Sequence, residues 1–223
     1  MWYNIRDINY FGVIMRSESF ITNFFKALLA GLTISIGGIT FLSIENSFIG
    51  SVMFSFGLLT IIYKEWNLYT GKVGYTTRLS LVPPLLVTLL GNVAGLTVGA
   101  AIYRAIGINE ARLAAMCEKK LGNEWWQVLV LSIMCGVMMY LAVSLYKITK
   151  SPLMVIMPIS IFIVCGFEHS MASYFFLVSY FGIDLPAKFF YYIAIMIVGN
   201  AIGSLGFAGI EALTKSNREA KNP

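Results

Sequence analysis

Charge is what this chain has least of: 12% of its 223 residues are Asp, Glu, Lys or Arg, against 58% apolar. A soluble globule carries about a quarter charged residues, because it must cover a water-facing surface. The shortage, together with a mean hydropathy of +0.77, excludes a soluble domain and leaves the lipid bilayer as the solvent for most of the surface. Histidine occurs once, and no cluster of His, Cys or acidic residues has metal-ligand spacing. That argues against a metal site and against a membrane enzyme built on one. The cysteines, Cys117, Cys135 and Cys165, are odd in number and unpaired in spacing, so neither a disulfide framework nor zinc is expected, and no cofactor is implied. The net charge of +5 forms no Lys/Arg stripe, which argues against nucleic acid as a partner. Residues 1 to 19 lack the apolar core and small-residue cleavage site of a signal peptide. Trp2, Tyr3, Ile5 and Ile8 fit either one face of a short interfacial helix or a frayed tail.

What is present is long apolar runs. Spanning the hydrocarbon takes about 20 mostly apolar residues, and charge-free stretches run over Ala27–Ile44, Ser47–Tyr63, Leu79–Tyr103, Trp125–Tyr146, Ser151–Phe167 and Phe189–Ile210. Six transmembrane helices are therefore expected in one domain covering 1–223, with short tails at 1–19 and 214–223. Two spans are irregular. The second stops at Lys64 and is followed by the uncharged turn Asn67-Leu68-Tyr69-Thr70-Gly71; the fifth runs into Gly166-Phe167-Glu168-His169-Ser170 and resumes as Met171–Phe181. Both read as helices broken at membrane depth. With the N-terminus cytoplasmic, that side holds Arg6, Arg16, Lys26, Lys64, Lys72, Arg78, Lys147, Lys150, Lys215, Arg218 and Lys221; the other holds Arg104, Arg112, Lys119, Lys120 and Lys188. Eleven basic residues against five, out of 16, predict a cell-membrane protein with both termini on the cytoplasmic side.

The halves repeat. Gly91-Asn92-Val93-Ala94-Gly95 in span three recurs as Gly199-Asn200-Ala201-Ile202-Gly203 in span six, and a broken span precedes each copy. Spans one to three (about 20–106) thus correspond to spans four to six (about 125–213). Three is odd, so the second half enters from the opposite side, the inverted plan of transporters and pores. The same glycines suit close helix packing. Irregular backbone at membrane depth is tolerated where protein buries it or a cavity borders it, so the breaks at Thr70 and His169 are expected to face one central pore.

His169 is an ionisable group inside an apolar span, which in a membrane marks a pathway. Glu168, the next residue, points elsewhere on a helix and reads as support for the broken backbone, alongside Asn92 and Asn200. Thr70 offers a hydroxyl to the pore or a cap to the half-helix after it. Lys119 and Lys120 suit either snorkelling at the interface or attraction of anions.

Taken together, Gly166-Phe167-Glu168-His169-Ser170, Leu68-Tyr69-Thr70, the Ala30–Gly37 segment and the two GN-x-x-G segments resemble the formate/nitrite transporter family, from about Ala27 to about Leu213. The resemblance implies homopentamers of aquaporin-like protomers, each with its own pore for small monovalent anions: formate or nitrite, with hydrosulfide, acetate or lactate in some branches. It assigns His169 as the central pore histidine, Thr70 as the threonine of the interrupting loop, Lys119 as the vestibule lysine, and Phe54, Leu58, Tyr69 and Phe162 as apolar constrictions. This chain departs from the family in having Tyr69 for a common phenylalanine, Ser173 for an asparagine after GFEHS, and Gly136 for an asparagine of formate channels, which keeps hydrosulfide and acetate open as substrates. The expected mechanism is attraction of the anion at a vestibule followed by neutralisation at His169, with a proton as co-substrate. A neutral-solute pore of aquaporin type would need paired Asn-Pro-Ala loops, which the chain lacks; an assembly subunit would leave two matched breaks unexplained.

Overall fold

The computed structural model describes residues 18–219, with side chains to residue 214. Trp2, Tyr3, Ile5, Arg6, Ile8, Arg16 and Lys221 lie outside the described residues, as do the side chains of Lys215 and Arg218. Every element among the described residues is helical: α1 (Phe20–Ser43), α2 (Ser47–Tyr63), α3 (Tyr69–Lys72), α4 (Val82–Ile106), α5 (Glu110–Gly122), α6 (Trp125–Thr149), α7 (Leu153–Val164), α8 (Ser170–Phe181) and α9 (Ala187–Glu219), with 3-10 turns at Val73–Tyr75 and Leu79–Leu81. Polar caps start the first two helices, Ser19 Oγ accepting from Thr22 N at 3.1 Å and Asn46 Oδ1 from Phe48 N and Ile49 N at 3.0 Å.

Phe20–Ser43, Leu79–Ile106, Trp125–Thr149 and Ala187–Thr214 are long and apolar enough to cross a membrane. Helices α7 and α8, 12 residues each, rise about 18 Å apiece, short of the roughly 30 Å of a hydrocarbon core. The long helices pack in pairs, α1 on α4 and α6 on α9, while α2 lies against α7. Glycine permits the two pairings, because the helices approach to backbone contact. A Cβ on Gly95 would stand 2.1 Å from the Leu28 carbonyl oxygen, and one on Gly203 would stand 2.0 Å from that of Ile133.

The breaks after α2 and α7 are the same turn. At the end of α2, Trp66 N donates to Ile61 O at 2.9 Å and Glu65 N to Ile62 O at 3.2 Å; at the end of α7, Phe167 N donates to Phe162 O at 2.8 Å and Gly166 N to Ile163 O at 3.1 Å. Each is a Schellman motif with its C′ residue left-handed, Gly166 at φ 72° and Glu65 at φ 53°. Asparagines from the paired long helices then hold the chain beyond each turn. Asn92 Oδ1 accepts from Tyr69 N at 2.8 Å while its Nδ2 donates to Asn67 O at 2.9 Å and Ala27 O at 2.8 Å. Asn200 does the same for Ser170 N (2.9 Å), Glu168 O (2.9 Å) and Ser132 O (2.8 Å).

Residues 110–122, which the charge pattern marks as a connector, form an amphipathic helix. Leu113 and Cys117 of α5 are buried, and Glu118 and Lys119 are exposed. Glu110 in its first turn and Lys119 and Lys120 in its last complement the helix dipole.

Ahead of α1, Glu18 ties the first break to the start of the chain's described part. Its carboxylate accepts from Lys26 Nζ and, at 2.9 Å, from Asn67 Nδ2, whose amide also donates to Asn23 Oδ1 at 2.7 Å. Burial pulls the Glu18 carboxyl up, but the bonds from Lys26 and Asn67 and the fields of Lys26 and Lys72 outweigh it and hold the group below its ordinary value. A lowered folded-state pKa stabilises the fold above the unfolded value of about 4.5, and that contribution is lost as pH falls through the lowered one.

Candidate functional site

The two breaks meet. Thr70 Oγ1 lies 2.9 Å from His169 Nε2, both groups buried. His169 is the N-cap of α8, and its Nδ1 accepts from Ala172 N at 3.1 Å. A ring nitrogen that accepts a backbone N–H carries no proton, so the neutral ring is held as the Nε2–H tautomer. Nε2–H therefore donates to Thr70, and the imidazole exchanges its proton only on the Thr70 side. Thr70 itself lies inside α3, whose N-cap Leu68 makes no side-chain cap bond; the hydroxyl serves the histidine, not the helix end.

On one side of this contact a cavity of about 380 Å³ reaches His169. Its apolar wall includes Phe41, Phe54, Phe162 and Phe176. The Phe162 ring stacks on His169 with centroids 5.5 Å apart and planes at 18°, and Phe54 meets Phe162 edge-on at 6.4 Å. Phe162 thus covers one face of the imidazole, and Phe54 packs against Phe162. Leu58 and Tyr69 are buried in the main core and do not line this cavity. Tyr69 donates its hydroxyl to Ile197 O of α9 at 3.2 Å.

Lys119 and Lys120 both line the cavity, but they differ. Lys119 is exposed. Lys120 reaches in, donating to Glu168 Oε2 at 2.6 Å and Ser173 Oγ at 3.3 Å, while Ser173 Oγ donates to Glu168 Oε2 at 2.8 Å. Glu168 thus contributes to the break through its carbonyl, held by Asn200, and its carboxylate faces the cavity as the partner of Lys120. Sequence reasoning gave Lys120 no separate role; adjacent helical positions point about 100° apart, and nothing in a one-dimensional reading says which of two lysines turns inward. Ser173, noted only as a departure, is the third member of this cluster.

Gly136 does not face the cavity. It lies at the crossing of α6 with α9, where a Cβ would stand 2.3 Å from the Asn200 carbonyl oxygen. An asparagine cannot be accommodated there without parting the helices, so Gly136 speaks of packing and not of substrate. Gly136→Asn is expected to destabilise the fold by about 3 kcal/mol or more, at or beyond the upper end of ordinary overpacking, read as a lowered Tm in detergent.

Residues 9–213 match the formate/nitrite transporter family. The chain belongs to that family. The family is one of transporters, and the chain's long apolar helices are those of a multi-pass membrane protein. Formate channel FocA of Haemophilus influenzae is 28% identical over 146 residues, 57% of this chain and 51% of that protein, so the chain matches about half the length of this curated relative. Among solved structures, a pentameric formate channel with formate bound shares the fold with a TM-score of 0.74 at 22% identity, covering 88% of this chain and 97% of that one. An FNT family ion channel gives 0.83 at 18% identity, with 93% and 98% covered. At these identities the solved structures speak for the fold.

Proposed function

We propose that the chain is a channel or transporter for small monovalent weak-acid anions, formate or nitrite first, with His169 at the centre of the pathway. In this reading α2 with α3 and α7 with α8 are the broken second and fifth of six spans. The spans form two inverted three-helix halves, about 20–106 and 125–213, in one aquaporin-like domain. The Schellman turns support the inversion, since Ile61, Glu65 and Asn67 stand in the same bonds as Phe162, Gly166 and Glu168, a constant offset that pairs Leu68 with His169. Both termini are cytoplasmic, the protein resides in the cell membrane, and five copies assemble with one pore each.

The observation that carries the function is the Thr70–His169 contact at the foot of a cavity with lysines at its mouth. Moving a bare carboxylate-sized anion into a low-dielectric neck costs on the order of 20 kcal/mol by the idealised Born estimate. Protonating an acid of pKa about 4 at pH 7 costs roughly 4 kcal/mol. Neutralisation is the cheaper route, and the site supplies its parts. Lys119 draws the anion into the vestibule, Lys120 with Glu168 and Ser173 lines its inner wall, and Phe54 and Phe162 strip water. Nε2–H of His169 donates a hydrogen bond to the anion and holds it while the neutralising proton arrives from bulk water, the ring itself staying neutral. Leu58 and Tyr69 form the neck beyond.

Swelling or flux in proteoliposomes with a panel of formate, nitrite, hydrosulfide, acetate and glycerol tests this. Formate or nitrite should enter fastest, faster at lower pH. Entry of glycerol with no anion dependence would instead make the protein a neutral-solute pore.

A further inference from the structure

The vestibule is larger and more apolar than a small anion needs. At about 380 Å³ it falls within the range of pockets that enclose small organic ligands, roughly 300–1,000 Å³. An anion of three heavy atoms takes up little more than one or two waters, at about 30 Å³ each, and fills a small part of it. Four phenylalanines from four helices line the cavity in two pairs. Phe54 of α2 meets Phe162 of α7, which stacks on His169; Phe41 of α1 meets Phe176 of α8, with ring centroids 6.4 Å apart and planes at 59°. The conduction scheme uses the first pair and leaves the second without a task. Arg112 holds that second pair in place, its guanidinium donating to the Ile44 carbonyl and lying 4.6 Å from the centroid of the Phe41 ring. The charged side chains that line the cavity are Lys119, Lys120 and Glu168. Lys120 is paired with Glu168, so two lysines against one carboxylate leave a single positive charge, at the exposed Lys119. A wall of rings beside one uncompensated ammonium complements an amphipathic monoanion.

We propose that the vestibule is a binding site for arylalkyl monocarboxylates, with the ring against Phe41 and Phe176 and the carboxylate at Lys119. Such a ligand fills the space between the mouth and His169, so it blocks anions that enter from that side. The block rests on the anion-pathway reading; the occupancy rests on the cavity alone. Cys165 supplies a reporter. It lines the same cavity and is exposed, while Cys117 and Cys135 are buried. A bound ligand therefore shields this thiol from reagents in solution.

Phenylpropionate, propionate and phenylpropanol, titrated against the purified full chain in detergent, test it, with N-ethylmaleimide labelling of Cys165 read by mass spectrometry. Phenylpropionate is expected to halve the labelling rate at a concentration about tenfold below that of propionate, the low end of what burying a phenyl ring provides. It should act about fivefold below phenylpropanol, the upper end for a solvent-exposed charge pair. Lys119→Gln should bring the acid and the alcohol to the same midpoint. In proteoliposomes, phenylpropionate should inhibit formate flux over the concentrations that protect Cys165. Absence of protection overturns the proposal, and so does equal protection by acid and alcohol in the wild type, because the cavity then selects apolar bulk and no charge. Protection unaltered in Lys119→Gln places the carboxylate elsewhere and overturns it too. Protection that leaves a working formate flux uninhibited overturns the block. If Cys165 is protected as expected and the wild type carries no anion, the pathway reading fails and the binding site stands.

Discussion

Formate flux through His169→Phe in proteoliposomes is expected to fall by two to three orders of magnitude at pH 7. Phenylalanine keeps a planar ring against Phe162, 5.5 Å away in the wild type, but it removes the Nε2–H that faces Thr70. Formate would then cross only as acid already protonated in bulk. With a pKa near 4, that form is about a thousandth of the total at pH 7 and gains tenfold with each unit of acidification. The variant's flux should therefore climb steeply as pH falls, and the wild type's should climb less. Phenylalanine also deletes the cap on Ala172 N, which costs about 1 kcal/mol, so a second variant is needed to separate folding from conduction. Asparagine is a good N-cap that does not titrate, and His169→Asn should keep the wild-type Tm while losing flux at neutral pH. Wild-type flux in His169→Phe at every pH would remove the imidazole from the route.

Much of this arrangement is legible in the sequence, and the parts that are not have physical reasons. The apolar runs show through because lipid leaves no other composition available to a spanning helix. The paired GN segments show through because each asparagine performs a task no apolar residue can, bonding three backbone groups inside the membrane. The register between the two breaks is hidden, because it is made by backbone bonds. Asn67-Leu68-Tyr69 and Glu168-His169-Ser170 share no residue, yet their peptides occupy the same positions. Helix α5 is hidden because its charges resemble those of a loop, and only its burial of Leu113 and Cys117 reveals an apolar face. The Tyr69 hydroxyl bond to Ile197 O joins residues 128 apart in sequence through a carbonyl that any residue at 197 would offer. Gly136 misleads in the opposite way. A missing side chain at a position identified with a substrate residue reads as a change of specificity, while the backbone of α9 occupies the space.

The division of labour between the two asparagines yields the second large effect. Asn200 is fully buried, and Asn200→Ala would strip the Ser170 N–H and the Glu168 carbonyl of the partner that holds them, and remove the bond that ties both to the Ser132 carbonyl of α6. Each unsatisfied buried backbone group costs about 1–3 kcal/mol, and these bonds are buried. The sum, on the order of 5 kcal/mol, exceeds what ordinary point substitutions do. Asn200→Ala should lower the Tm sharply and abolish flux. Asn92→Ala removes an equal number of bonds from the first break but should be milder. There Asn67 stays anchored through its side chain to Glu18 and Asn23, so the peptide before Leu68 keeps its place. The second break has its own side-chain anchor in the Lys120–Glu168 pair, but that pair lines a cavity wide enough for water to loosen it. Thermal unfolding of both variants in the same detergent distinguishes these cases. If Asn92→Ala proves as damaging as Asn200→Ala, the Glu18 latch contributes nothing to holding the first break.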